Sequence, residues 1–113
     1  MHKAILINPS ALTVTEATVT DDYKDIQNMI GCRCFTCVRI DANNVAFCDD
    51  EGLINGTAHG TKFKADVYPD AIAGNILILG DDGMGGSCDV TLSTDEVRKM
   101  MESFVIFTAN LGN

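Results

Sequence analysis

Four of the five cysteines fall in one short stretch, and their thiols are the first groups that could do chemistry. Cys32, Cys34 and Cys37 lie within six positions of one another, and Cys48 follows after a predicted turn. Structural zinc sites use cysteine pairs on tight turns, usually two such pairs. Here Cys34 and Cys37 belong to one predicted strand and project to opposite faces. We therefore interpret the thiols as small apolar core groups and predict no metal site.

A catalytic thiol would need a base within hydrogen-bonding reach. The sequence offers two histidines, His2 at its start and His59 between an alanine and a glycine. Nothing beyond composition pairs either of them with a cysteine. The sequence also lacks a nucleophile elbow, a phosphate-binding glycine loop with lysine and a paired-histidine metal motif. We therefore predict a protein that is not an enzyme, with no catalytic residue and no cofactor.

Acidic side chains follow two predicted strands. Asp49, Asp50 and Glu51 end one of them, and Asp81 and Asp82 end the other. If these strands are parallel neighbours, the five carboxylates share one edge of the sheet. Such hard oxygen ligands suit calcium or magnesium, but the alternating ligand pattern of a calcium loop is missing. We interpret the two acidic turns as a solvated binding surface, with Asn75 and a glycine-rich loop over 80–86 beside them.

The elements that position these residues follow from hydrophobic periodicity. The pattern predicts strands over 3–7, 12–19 (with a bend near Glu16), 32–40, 45–48 and 76–79, and helices over 20–30 and 94–104. The run 76–79 reads as a strand buried on both faces. Gly31 ends the first helix, and Ser93 with Glu96 forms a capping box for the second. Between 53 and 70 the pattern is weak, with at most one helical turn at Phe63 and Val67.

These elements predict a single α+β domain over residues 1–113. We expect a small mixed or antiparallel sheet of about five strands, with the two helices packed on one face and a tail over 105–113 that is polar from Thr108 onward.

The net charge of −8, from sixteen acids and eight bases, disfavours direct binding of nucleic acid. We expect no secretion signal and no membrane span, and reduced thiols in a cytoplasm.

Several short motifs together resemble a family of uncharacterised proteins, DUF3846. They are Asp50-Glu51-Gly52, the run from Ala73 to Gly80, and the helix start Tyr23-Lys24-Asp25-Ile26-Gln27. The resemblance runs from about Lys3 to Met101, and the cysteine run and the chain after Phe104 depart from it. The family is common in bacteriophages and plasmids and has no established activity. The resemblance therefore implies a context, a phage or mobile element, and no mechanism.

A small acidic protein of this kind is expected to bind a partner in the host cytoplasm. The first hypothesis is a modulator or inhibitor of a host protein, whose basic surface complements the acids. The alternative is a homo-oligomer that sequesters a nucleotide signal. A nucleotide trap needs basic groups for the phosphates, and Lys62 and Lys64 are the candidates.

Overall fold

A computed structural model describes residues 1–52 and 57–107 of the chain. In this part of the chain the elements are β1 (His2–Asn8), β2 (Thr13–Val19), α1 (Tyr23–Ile30), β3 (Phe35–Arg39), β4 (Asn44–Asp49), β5 (His59–Phe63), β6 (Ala71–Ala73), β7 (Ile76–Asp81), β8 (Ser87–Cys88), α2 (Thr94–Met100) and β9 (Met101–Ile106). The predicted α+β class is confirmed, because the chain combines two helices with antiparallel sheets.

The strands form two sheets instead of one. The first sheet has the order β2-β1-β7-β4-β3, with the short strand β8 paired to the end of β7. The second sheet has the order β6-β5-β9. Every pairing is antiparallel, including the β1–β2 and β3–β4 hairpins that the sequence predicts.

Strand β7 lies at the centre of the first sheet and is buried on both faces, as predicted. Ile76 and Ile78 pack into one cluster with Phe63, Ile72 and Val97. Leu77 and Leu79 pack into a second cluster with Ile26 and Ile30 of α1. The first cluster joins the two sheets, so it holds the second sheet against the first.

The first helix starts at Tyr23, three residues later than predicted, because the Asp22 side chain accepts from the Lys24 amide and caps it. Its predicted end is confirmed, since Gly31 ends α1 with a φ of 81°. Ser93 and Glu96 form the complete capping box of α2. The predicted placement of both helices on one face is wrong, because α1 packs against Leu77 and Leu79 whereas Val97 of α2 packs on the opposite face.

The second helix is shorter than predicted. It ends at Met100, and Met101–Ile106 forms strand β9, which pairs with β5. The predicted tail is therefore wrong at Val105 and Ile106, and residues 108–113 lie outside the described part of the chain. The predicted bend near Glu16 is also absent, since the β1–β2 register runs without a shift from His2↔Val19 to Asn8↔Thr13.

The segment 53–70, where the hydrophobic pattern is weak, contains strand β5, which the pattern did not predict. Strand β5 includes Gly60, where a Cβ would lie 2.4 Å from the Phe107 ring and 2.5 Å from the Ile72 carbonyl oxygen. A glycine is thus required by close packing and does not mark a loop. The single helical turn starts at Lys64, whose carbonyl accepts from the Tyr68 amide at 3.1 Å. Residues 53–56 of this segment lie outside the described part.

Candidate functional site

The acidic turn Asp49-Asp50-Glu51 lies where β4 ends, and local hydrogen bonds hold its shape. The Asp49 carboxylate accepts from the Glu51 amide at 2.9 Å. The Asp50 amide donates to the Cys34 carbonyl at 3.1 Å, which ties the turn to the start of β3. Asp50 is exposed, while Asp49 and Glu51 are half-buried. The turn therefore presents its acids from a defined backbone.

These acids form the rim of a cleft of about 350 Å³ between the two sheets, which we call the acidic cleft. Its lining residues are Thr36, Val38, Cys48, Asp49, Asp50, Glu51, Gly52, Tyr68, Ala71, Ile72 and Ala73. Val38 and Ile72 make part of an apolar wall, and no lysine or arginine is among the lining residues that the structure describes. A cleft that is apolar inside and acidic at its rim fits a side chain with an apolar stem and a cationic end.

The Cys48 thiol lines the acidic cleft, and its surroundings raise its pKa. Burial, followed by the nearby Cys37 thiol and the Asp49 and Asp50 carboxylates, raises its pKa from 9.0 to about 11. Burial and then Asp49 also raise the pKa of Cys32. A thiol with so high a pKa is protonated at neutral pH and is a poor nucleophile.

In the described residues, the side chains that a catalytic thiol or a metal site would need are not grouped together. All five cysteines are free. The interpretation of the thiols as core groups is wrong for Cys34 and Cys37, which are exposed on the protein surface. No hydrogen bond joins a histidine to a cysteine within 1–52 and 57–107, and the His2 ring contacts Asp21 instead. In the same two ranges no group of three or more His, Cys, Asp or Glu side chains is arranged to hold a metal ion.

The second acidic turn lies at the opposite end of the first sheet. Strands β4 and β7 are antiparallel, with Asn44 opposite Gly80 and Cys48 opposite Ile76. Asp49 and Asp81 are thus separated along the sheet by about 20 Å, at about 3.4 Å per residue. The hypothesis that five carboxylates share one edge is wrong, because it required parallel strands.

The carboxylates of the second turn are engaged in the loop itself. Asp81 pairs with the Arg39 guanidinium and accepts from the Gly83 amide at 3.1 Å, and these bonds lower its pKa. Asp82 accepts from the amides of Met84, at 2.7 Å, and Gly86, at 3.0 Å. The loop is exposed, as predicted, but its acids are used to hold its conformation.

The loop end of the sheet also contains a buried polar group, Asn44, which is fully buried. Its amide nitrogen donates to the Asp41 carboxylate at 3.0 Å and to the Thr91 hydroxyl at 2.7 Å. Its carbonyl oxygen accepts from the Thr91 amide at 3.0 Å. This network joins the β3–β4 turn to the chain before α2, so its role is structural.

The other predicted binding residues are separated from one another. Asn75 precedes Ile76 and thus lies at the end of the sheet where Asp49 lies. Lys62 belongs to β5, and its ammonium group donates to the Phe63 carbonyl at 3.0 Å. Lys64 follows β5 and is exposed. Neither lysine lines the acidic cleft.

Several residues of the acidic cleft could not be found from the sequence. Tyr68 follows an isolated turn, and Ile72 lies in the three-residue strand β6, which is too short to show a period of two. Gly52 brings the acidic turn against β6, since a Cβ there would lie 3.0 Å from the Cβ of Ala73. This close approach places β6 beside the acidic turn at the cleft.

Two other clefts have fewer charged groups of one sign in their lining. A cleft of about 430 Å³ before α2 has Lys3 and Glu16 in its lining, so its charges balance. A cleft of about 230 Å³ lies between Leu12 and Ile106, and both side chains are exposed. Of these three clefts, the acidic cleft alone combines several charges of one sign with an apolar wall.

The fold and the site define an α+β protein with two antiparallel sheets and an acidic cleft between them. The chain belongs to the family described as Domain of unknown function (DUF3846), which it matches over residues 1–104. It is 32% identical over 82 residues to the uncharacterized protein y4iR of Sinorhizobium fredii (strain NBRC 101917 / NGR234). That match covers 71% of this chain and 50% of the relative, so the chain spans about half the relative's length.

No solved structure matches the chain significantly. In the described part of the chain, neither helix has the length and apolar character needed to cross a bilayer.

Proposed function

We propose that this protein is a non-enzymatic binding protein whose acidic cleft receives basic side chains of a protein partner. The observation that carries the proposal is the cleft lining, which in the described part of the chain combines Asp49, Asp50 and Glu51 with an apolar wall and includes no lysine or arginine. Basic side chains would enter with their apolar stems against Val38 and Ile72. Opposite charges across such an interface speed association and exclude acidic competitors.

The proposed setting is a phage or another mobile element, with the protein acting in the host cytoplasm. There it would modulate or inhibit a host protein, such as a defence protein, that carries a basic surface. The high pKa of Cys48 argues against this thiol as a nucleophile in the acidic cleft, because its thiolate fraction at neutral pH is very small.

The alternative, sequestration of a nucleotide signal, has less support. Phosphates would be repelled by the rim of the acidic cleft. Lys62 and Lys64, the predicted phosphate contacts, do not line this cleft. A titration with labelled cyclic dinucleotides tests this alternative, and tight stoichiometric binding would overturn the acidic-cleft proposal.

The main experiment measures binding of a fluorescein-labelled basic peptide by fluorescence anisotropy. We expect the variant D50K/E51K to weaken binding tenfold or more, because like charges then face each other across the interface. The control D66K/E102K changes the net charge equally at exposed positions outside the cleft lining. We also expect affinity to fall as salt is added. Equal loss in both variants would contradict a specific acidic cleft.

A further inference from the structure

Strand β3 is an edge strand that borders the acidic cleft. It stands at the end of the order β2-β1-β7-β4-β3 and pairs with β4 alone among the strands of residues 1–52 and 57–107. Its outer side therefore presents backbone donors and acceptors that no described strand satisfies. Such an edge is a template for an added strand.

The hydrogen bonds next to β3 show which of its backbone groups face outward. The Ile40 amide donates to the Asn44 carbonyl at 3.2 Å, and the Asp50 amide donates to the Cys34 carbonyl at 3.1 Å. In an antiparallel pair the bonded residues alternate. The even-numbered residues of β3 thus bond to β4. The outward N–H and C=O groups belong to Phe35, Cys37 and Arg39.

The same alternation sets the direction of the side chains. Thr36 and Val38 line the acidic cleft, so the even-numbered face of β3 is the cleft face. A strand added at the edge would project every second side chain onto this face. It would run two strand spacings, or about 10 Å, from the end of β4. A lysine side chain and an aspartate side chain together bridge such a span.

We infer that the partner binds as an extended basic segment that adds an antiparallel strand to β3 and directs its lysine or arginine side chains to the acidic cleft. The inference rests on the proposed function and names the kind of partner segment. Backbone bonds to the β3 edge supply affinity, and the cleft supplies selectivity for basic residues. Charge complementarity argues for this occupant, because the described lining of the cleft carries Asp49, Asp50 and Glu51 and no lysine or arginine.

The test uses three hexapeptides with alternating lysine and valine, labelled with fluorescein. In the inferred complex the lysines face the cleft, so the valine amides point to the outward groups of β3 and the lysine amides point away. The first peptide is unmodified, the second is N-methylated at every valine, and the third is N-methylated at every lysine. The second and third peptides have equal charge, composition and number of methyl groups.

We expect the unmodified peptide and the lysine-methylated peptide to bind within about threefold of each other. We expect the valine-methylated peptide to bind at least tenfold more weakly, because its donors to the edge are lost. Equal affinities of the two methylated peptides would overturn the inference. If both of these peptides still lose affinity for D50K/E51K, the proposed function stands and only the added strand is wrong. If D50K/E51K has no effect on any peptide, the proposed function is wrong.

A protein variant gives an independent check. In C37P the proline removes an outward N–H and leaves the bonds between β3 and β4 in place, so urea unfolding should remain cooperative. We expect C37P to bind the unmodified peptide at least tenfold more weakly than the wild type. If the wild-type protein alone sediments as a dimer that C37P dissociates, β3 pairs with a second copy and the inference is wrong. Should C37P not fold, the methylated peptides still decide.

Discussion

Neutralising Asp49 and Asp50 should lower the pKa of the Cys48 thiol, and this change measures the field inside the acidic cleft. In the wild-type protein burial and the neighbouring groups place that pKa at about 11, against 9.0 for an ordinary thiol. The thiolate fraction at pH 8 is thus about 100-fold smaller than in an unshifted cysteine, since each unit is a factor of about ten. The double variant D49N/D50N removes the two carboxylates and keeps their shape.

The assay follows alkylation of Cys48 by iodoacetamide from pH 7 to 10.5, with each cysteine quantified by peptide mass spectrometry. The pH dependence of the rate, and not its absolute value, reports the pKa of the reacting thiol. In the wild type we expect the rate to keep rising tenfold per pH unit beyond pH 9. In D49N/D50N the rate should level off at lower pH and be higher at pH 8.

The control is E51Q, because Glu51 is on the cleft rim but is not among the groups that shift Cys48. We expect its profile to match that of the wild type. The reasoning would be refuted if D49N/D50N also matched the wild type, or if wild-type Cys48 levelled off near pH 9. Either result would mean that the carboxylates of this turn do not act on the cleft interior.

Three further predictions concern stability and are checked by urea unfolding. The free energy of unfolding should fall as pH rises through the window from 9 to about 11, because the native state holds the Cys48 proton more tightly than the unfolded state does; C48A should lack this component. The variant G80A should lose about 1–3 kcal/mol by overpacking, since its Cβ would lie 2.2 Å from the Asp89 carbonyl oxygen and 2.8 Å from the Cys88 sulfur. The comparison variant is G83A, where an added Cβ would have no atom within 4 Å but φ is +82°, so about 1–2 kcal/mol of backbone strain is expected. If G80A loses the same stability when Cys88 is also replaced by alanine, the clash is with the Asp89 backbone. N44A should lose about 2–4 kcal/mol, because a fully buried amide bonded to Asp41 and Thr91 is removed; an unchanged urea midpoint would contradict the structural role of this network.

The sequence predicted those structural features that depend on residues close together along the chain. The capping box at Ser93 and Glu96 and the left-handed glycine at Gly31 each involve residues within one helical turn, so the start of the second helix and the end of the first could be predicted. The apolar run 76–79 also predicted a strand buried on both faces, because a segment without a polar face can only lie inside.

The end of the second helix could not be predicted from local pattern. The spacing of Val97, Met100 and Phe104 fits a helical stripe, yet Phe104 belongs to β9. Pairing with β5 outweighs the helical spacing after Met100, and β5 is about forty residues distant in the sequence. A non-local pairing of this kind leaves no mark on the hydrophobic period.

The candidate site also has one part that the sequence determined and one that depends on the tertiary structure. Sequence alone determined which residues carry the charge, since Asp49, Asp50 and Glu51 are consecutive acids after a strand. Only the tertiary structure decided that this turn borders a cleft while Asp81 and Asp82 serve their own loop. The physical reason is the antiparallel register of β4 and β7, which places the two acidic turns at opposite ends of the sheet, and the packing of β6 against Gly52, which places β6 beside the first turn.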